Sequence, residues 1–134
     1  MQSSNKANMA WFAPILYVNI VADAMAFYEK AFDAKELRRF SNDDGSVHVA
    51  EMKIDDALFR LHEETAGKSE LSPGTLNGTC VILGFFVTDP DALFEKAIKA
   101  GATISTPMQD YDYGYRQGNL TDPFGHHWTI EKSI

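Results

Sequence analysis

A chain of 134 residues, 45% of them hydrophobic and 23% charged, has the make-up of one globular domain able to bury its own core. Its net charge of −7, with no basic run longer than Arg38-Arg39, repels phosphate backbones and anionic lipid, so neither nucleic acid nor membrane is expected as a partner. No apolar run approaches the roughly 20 residues that cross a bilayer, and the single cysteine, Cys80, excludes an internal disulfide or a cysteine-rich zinc site, as a cytoplasmic location would allow.

Residues 1–13 read as an N-terminal tail. Met1 to Asn8 is polar, without the apolar stretch of a signal peptide, and packing is expected to begin at Trp11 and Phe12. A single domain follows over 14–132. Its first repeat, 14–63, opens with the β-prone run Ile15 to Ile20. Asp23 then stands where a helix N-cap belongs, and Phe27, Ala31 and Ala34 recur at helical spacing, which predicts a helix near 22–32 with one buried stripe. Asp33 tolerates the left-handed conformation that ends such a helix. Strands are expected over 35–41, 47–54 and 57–63, parted by the turn signals Asn42-Asp-Asp-Gly45 and Asp55-Asp56. The segment 64–78, rich in Gly, Ser, Thr and Pro, reads as a linking loop.

The second repeat, 79–132, retraces the first. With a shift of 66, Val21-Ala-Asp-Ala-Met-Ala-Phe-Tyr-Glu-Lys-Ala-Phe-Asp-Ala34 lies over Val87-Thr-Asp-Pro-Asp-Ala-Leu-Phe-Glu-Lys-Ala-Ile-Lys-Ala100. Val81 to Val87 is a strand, Asp89-Pro90 caps and starts a helix over 90–100, and Gly101 ends it. Strands at 103–109, 115–121 and 127–132 follow, the last two joined by Asp122-Pro-Phe-Gly125, whose proline and glycine preset a tight turn. The fold class is therefore α+β: two βαβββ repeats forming a cupped mixed sheet. Each helix covers one face of its sheet, so the opposite faces must meet each other or surround something.

Strand alternation puts His127, Thr129 and Glu131 on one face and Trp128 and Ile130 on the other. The apolar pair suits the helix side and leaves the trio for a cavity, or for solvent along a terminal strand. His48 shares its alternation with Ala50, Met52 and Ile54, as a hydrogen-bonded core histidine or as a base on a cavity wall. His62 and His126 lack such a setting. Tyr111, Tyr113 and Tyr115 could stack on a planar or cationic ligand, or serve as ordinary strand residues. No phosphate-binding glycine loop or Ser-His-Asp set occurs, and no catalytic residue is assigned.

Phe27-Tyr28 ahead of Ala31-Phe32, Ala100-Gly101-Ala102, Tyr113-Gly-Tyr-Arg116 and Asp122-Pro-Phe-Gly-His-His-Trp128 together resemble the vicinal oxygen chelate superfamily of glyoxalases, bleomycin-resistance proteins and extradiol dioxygenases. The Asp-Pro-Phe-Gly-His-x-Trp ending is similar to its PhnB-like, or demethylubiquinone-methyltransferase-like, branch. The resemblance implies the paired βαβββ fold, a small organic ligand and a homodimer. It also places the metal ligands of the superfamily's enzymes at Ala13, Ile82 and Thr129, which cannot hold a divalent ion, so neither metal nor other cofactor is expected. Related proteins often carry an arginine where Arg116 stands, a group that could grip a carboxylate or phosphonate, or form a structural pair with Asp122 or another of the 19 acidic residues. The expected ligand wall is His48, Tyr113, Tyr115, Arg116, His127 and Thr129. The expected function is metal-free binding of a small molecule. Against it stand a lyase or isomerase of the glyoxalase type, a metal-dependent dioxygenase with a site built from His48, His127 and Glu131, and a domain whose cavity is vestigial.

Overall fold

A computed structural model describes residues 9–134, so the stretch Met1 to Asn8 lies outside the described residues. The first repeat gives β1 (Ile15–Val18), α1 (Val21–Phe32), β2 (Lys35–Ser41), β3 (Val47–Ile54) and β4 (Ala57–Glu63). A one-turn helix, α2 (Pro73–Leu76), sits within the linker expected as loop. The second repeat gives β5 (Ile82–Phe86), α3 (Pro90–Ala100), β6 (Thr103–Asp110), β7 (Tyr115–Thr121) and β8 (His127–Ser133). Each repeat folds into its own four-stranded sheet, in the orders β1-β4-β3-β2 and β5-β8-β7-β6. The first strand of each lies parallel to the last, and the remaining pairs are antiparallel.

Helix ends follow local chemistry with one exception. Asp89 caps α3 by accepting from Ala92 N at 3.2 Å, and Pro90 opens it. α1 starts earlier than the acidic residue suggested: Ile20 holds the cap position without a side-chain bond, and Asp23 lies inside the first turn, where its charge favours the positive helix end. Asp33 closes α1 at φ 57°, in the left-handed region. The linker helix is capped by Ser72, which accepts from Thr75 N at 3.2 Å, and Glu64 holds the turn by accepting from Ser72 N and Thr75 Oγ1, both at 2.8 Å.

The two repeats join through their helix sides. α1 packs against β3 and β4, α3 packs against β6, β7 and β8, and the helices pack on each other. Aromatic rings carry the junction. Phe32 of α1 meets Trp128 and Phe85 of the second sheet at 4.9 and 5.8 Å between ring centres, while Tyr28 touches Phe59 of the first sheet at 5.4 Å and Trp128 at 5.8 Å. Gly118 admits α3 to this core, since a Cβ there would stand 2.9 Å from the Phe94 ring and 3.0 Å from Met108 Cε.

At the centre lies the buried carboxylate of Asp122. It accepts from the Tyr28 hydroxyl, from Trp128 Nε1 at 2.9 Å, and from the backbone N–H groups of Phe124 and His126, each at 3.0 Å. Burial, with the Asp122 charge beside it, pushes the Tyr28 phenol well above its ordinary value, so Tyr28 stays a neutral donor. Asp122 is not the acidic partner of Arg116, because its carboxylate is already filled by four donors; the structural pairing expected as the alternative for Arg116 is made with other acids, Asp91 and Asp110. His126 adds a second tie by donating from Nε2 to Tyr17 O of β1 at 2.9 Å.

Tyr28→Phe should lower unfolding free energy by about 1.5–3 kcal/mol, the worth of a hydrogen bond to a charged group. Asp122→Ala, which strands the phenol and indole donors together, should cost more. Urea titration of both variants checks this, and an Asp122→Ala chain as stable as the parent would contradict it.

Candidate functional site

With the helix sides joined, the other face of each sheet is open. On the first sheet Leu16, Val18, Ala50, Met52, Phe59 and Leu61 are buried, so Ile15, Tyr17, Val49, Glu51, Arg60 and His62 alternate onto the open side. On the second, Leu120, Trp128 and Ile130 point inward, and Ile82, Phe86, Gln117, Asn119, Thr129 and Glu131 point out. These open faces retain large apolar groups: Ile15, Phe40, Ile82 and Phe86 are 47 to 59% exposed. Phe12, expected to begin the packing, is 98% exposed.

The first open face carries a histidine cluster. A bulge in the β2–β3 ladder leaves His48 between the pairs Ser41–Val47 and Phe40–Val49. That extra residue breaks the alternation with Ala50 and Met52, and it sets His48 edge-on against His62 at 4.8 Å rather than in the core. His62 stacks in turn on Tyr17 at 4.6 Å. His48 Nδ1 lies 3.0 Å from Glu63 Oε1, and His62 Nδ1 lies 2.8 Å from the Glu63 carbonyl oxygen. Both acceptors demand a proton on Nδ1, so in the neutral rings Nε2 carries the free lone pair. His62 is thus a member of the face that sequence reasoning missed. The signal was its alternation with Phe59 and Leu61, which places it opposite the core.

The second open face is a polar chain edged by aromatics. Glu131 accepts from Gln117 Nε2 at 2.6 Å, and Gln117 accepts from the Tyr113 hydroxyl at 2.5 Å. Tyr113 stacks on Tyr111 at 5.1 Å, and Tyr115 meets Phe86 edge-on at 5.4 Å. Thr129 donates to Asn119 Oδ1 at 2.7 Å. Gly84 makes room for Glu131: a Cβ there would come within 2.9 Å of Oε2, which helps keep that carboxylate 6% exposed.

The six expected wall residues therefore divide. Tyr113, Tyr115, His127 and Thr129 belong to the second repeat's outer side, His48 belongs to the first sheet, and Arg116 turns to the helix side. There Arg116 donates bidentately to Asp91 of α3 at 2.8 and 2.7 Å and to Asp110 at 2.9 Å. Asp91 and then Asp110 hold the guanidinium above its ordinary value. Among the described residues of one chain, the six are spread over two sheets and both sides of the second one. The seam between repeats has instead a cleft of about 670 Å³ near Asp33, Phe85, Asp89 and Lys96, and an apolar one of about 370 Å³ near Ile15, Tyr17, Leu76 and Val81. Neither is lined by any of the six.

The positions that the family resemblance assigns to metal ligands do not fit a metal ion. Ala13 and Ile82 offer no donor atom, and the Thr129 hydroxyl is spent on Asn119. Within one chain the set of His48, His127 and Glu131 is not assembled, since His127 and Glu131 stand four residues apart on β8 and His48 is on the other sheet. Among the described residues no three His, Cys, Asp or Glu side chains could jointly hold an ion.

The chain matches the Glyoxalase/Bleomycin resistance protein/Dioxygenase superfamily over residues 8–130 and belongs to that family. It is 39% identical over 125 residues to the Mycobacterium bovis protein Mb0911c, covering 91% of this chain and 82% of that one. Among solved structures it resembles TioX from Micromonospora sp. ML1, at TM-score 0.73 and 23% identity over 93% of this chain and all of that one. A gene product of Arabidopsis thaliana is similar at TM-score 0.69 and 26% identity, over 94% and 99% of the two chains. No helix among the described residues is long and apolar enough to cross a membrane.

Glu63 receives hydrogen bonds from His48 and then Asn42, which hold its carboxyl below the usual carboxylate range. A depressed folded value means that the ionised form persists as pH falls through the ordinary carboxyl range and is lost only below it. Carbon-detected NMR titration should show His48→Ala moving Glu63 upward toward the ordinary value, and Asn42→Ala moving it less. No movement with His48→Ala would contradict the assignment.

Proposed function

We propose that this protein binds a small organic molecule without a metal, in a cavity that two copies of the chain close together. The observation that carries the reading is the pair of open sheet faces, apolar enough to need covering and polar enough to read a ligand. In this reading the first sheet of one copy faces the second sheet of the other, and a twofold axis makes the same contact twice. Charge supports that orientation. The first face presents Arg38, Arg60 and Lys53 against Glu51, beside its histidines, and the second presents Glu131 among amide, hydroxyl and tyrosine groups. His48 of one copy then joins Tyr113, Tyr115, His127 and Thr129 of the other around a ligand, while Arg116 serves α3. The Asp122-to-Trp128 hairpin, whose two ends bond each other, favours the PhnB-like branch. The cytoplasm is the compartment proposed, on the single free Cys80.

A second reading, a metal-free lyase or isomerase, is favoured by one feature. Glu63 orients His48 so that Nε2 is free to accept a proton. It differs from the first in requiring turnover rather than retention of the ligand.

Light scattering should give twice the 14.9 kDa chain mass, about 30 kDa, and Phe86→Lys should shift the protein toward the monomer. Native mass spectrometry of protein purified from cells should show the dimer carrying an organic adduct that survives EDTA. A bare 14.9 kDa species at micromolar concentration would overturn the reading.

A further inference from the structure

We propose that Arg60 anchors the anionic end of a flat carboxylate ligand on the open face of the first sheet. The inference rests on that face being a wall of the proposed cavity, and it names the chemical class the wall selects.

The chain has four arginines, and three are satisfied. Arg38 donates to Glu51, Arg39 to Glu36, and Arg116 to Asp91 and Asp110. Arg60 alone has no carboxylate within 4 Å among the described residues, and its Nε is sealed from solvent without any hydrogen-bond partner. Carboxylates are not scarce in a chain with 19 acidic and 12 basic residues. In the register Arg60 lies between Ile15 and Glu51, and Glu51 is taken by Arg38 at 2.8 Å. Hiding an unbonded donor costs about 1–3 kcal/mol, so its retention calls for an acceptor beyond the described residues.

The setting specifies that acceptor. A guanidinium is a planar fork that matches the two oxygens of a carboxylate. Two residues along β4, on the same face, His62 stacks on Tyr17, and Ile15 flanks Arg60 across the β1–β4 ladder. The fork thus stands at the edge of a flat, partly apolar wall. A planar carboxylate places its oxygens on Arg60 and its body along Ile15, Tyr17 and His62. The rival acceptor is a carboxylate of the second copy, which would make Arg60 an interface residue.

The probes are 2-naphthoate and its neutral analogue 2-naphthamide, titrated into the ¹⁵N-labelled full chain. Four arginine Nε–Hε signals are expected, and the one missing from Arg60→Lys is Arg60. Naphthoate should move that signal and leave the other three in place. It should also bind about tenfold or more tightly than the amide, as one charge-assisted hydrogen bond requires. Arg60→Gln should abolish the preference, and Arg60→Lys should keep part of it, which separates lost recognition from lost folding. Equal affinity for acid and amide, a stationary Arg60 signal, or no binding of either probe would overturn the inference. If Arg60→Gln instead splits the dimer while naphthoate leaves the signal unmoved, Arg60 belongs to the interface; the inference fails and the dimeric reading stands.

Discussion

The structure turns on the buried carboxylate of Asp122. Its donors come from α1 of the first repeat, from β8 of the second and from the turn between β7 and β8, so one side chain fixes both repeats relative to each other. An ionised carboxylate taken out of water is tolerable only when its lone pairs are filled, and four donors fill them here. The Tyr28 phenol and the Trp128 indole can reach it only if the helix side of one repeat faces the helix side of the other. The direction in which each sheet opens is a consequence of that bond set.

From this follows a division of labour between the two sides of each sheet. The inner side is sealed by Phe32, Tyr28, Phe85 and Trp128, and its tolerance for change is that of any close-packed core. The outer side keeps Phe86, Ile82 and Phe40 about half exposed next to hydrogen-bonded polar groups such as Gln117 and Glu131. Exposed apolar side chains beside polar groups support the proposed use of these faces for binding. The proposed metal-free reading rests on the positions that the family resemblance assigns to metal ligands, since Ala13, Ile82 and Thr129 supply neither imidazole nor carboxylate. What the outer side offers is hydrogen bonding, ring stacking and, at Arg60, an Nε without a partner among the described residues.

Much of the fold is legible from residues alone. The internal repeat, the Asp89-Pro90 start and the Asp122-Pro-Phe-Gly125 turn are local signals, and local signals decide where helices and hairpins begin and end. Strand alternation also sorted Trp128 and Ile130 from Thr129 and Glu131 correctly. The site was less legible because it depends on relations between distant residues. His48 obeys the alternation of β3 on paper, and only a bulge against β2 turns it outward to His62. Arg116 left two readings open, a ligand anchor and a structural pair, and only the fold shows that Asp91, 25 residues earlier on α3, claims it. Asp122 looked like turn chemistry, and its partner Tyr28 is 94 residues away. The linker helix escaped notice because a single turn held by Ser72 and Glu64 leaves no periodic trace.

The central claim is that the first sheet's open face meets the second sheet's open face of another copy. Its most direct test is intermolecular paramagnetic relaxation in mixed dimers. A spin label at Lys53→Cys, in a Cys80→Ser background, is carried on unlabelled chains and mixed with ¹⁵N-labelled chains bearing no spin label. The account predicts broadening of amide signals from β7 and β8, around Gln117, Thr129 and Glu131, with the buried helix α1 unaffected. Broadening confined to β1–β4, or none where light scattering reports a dimer, would contradict it.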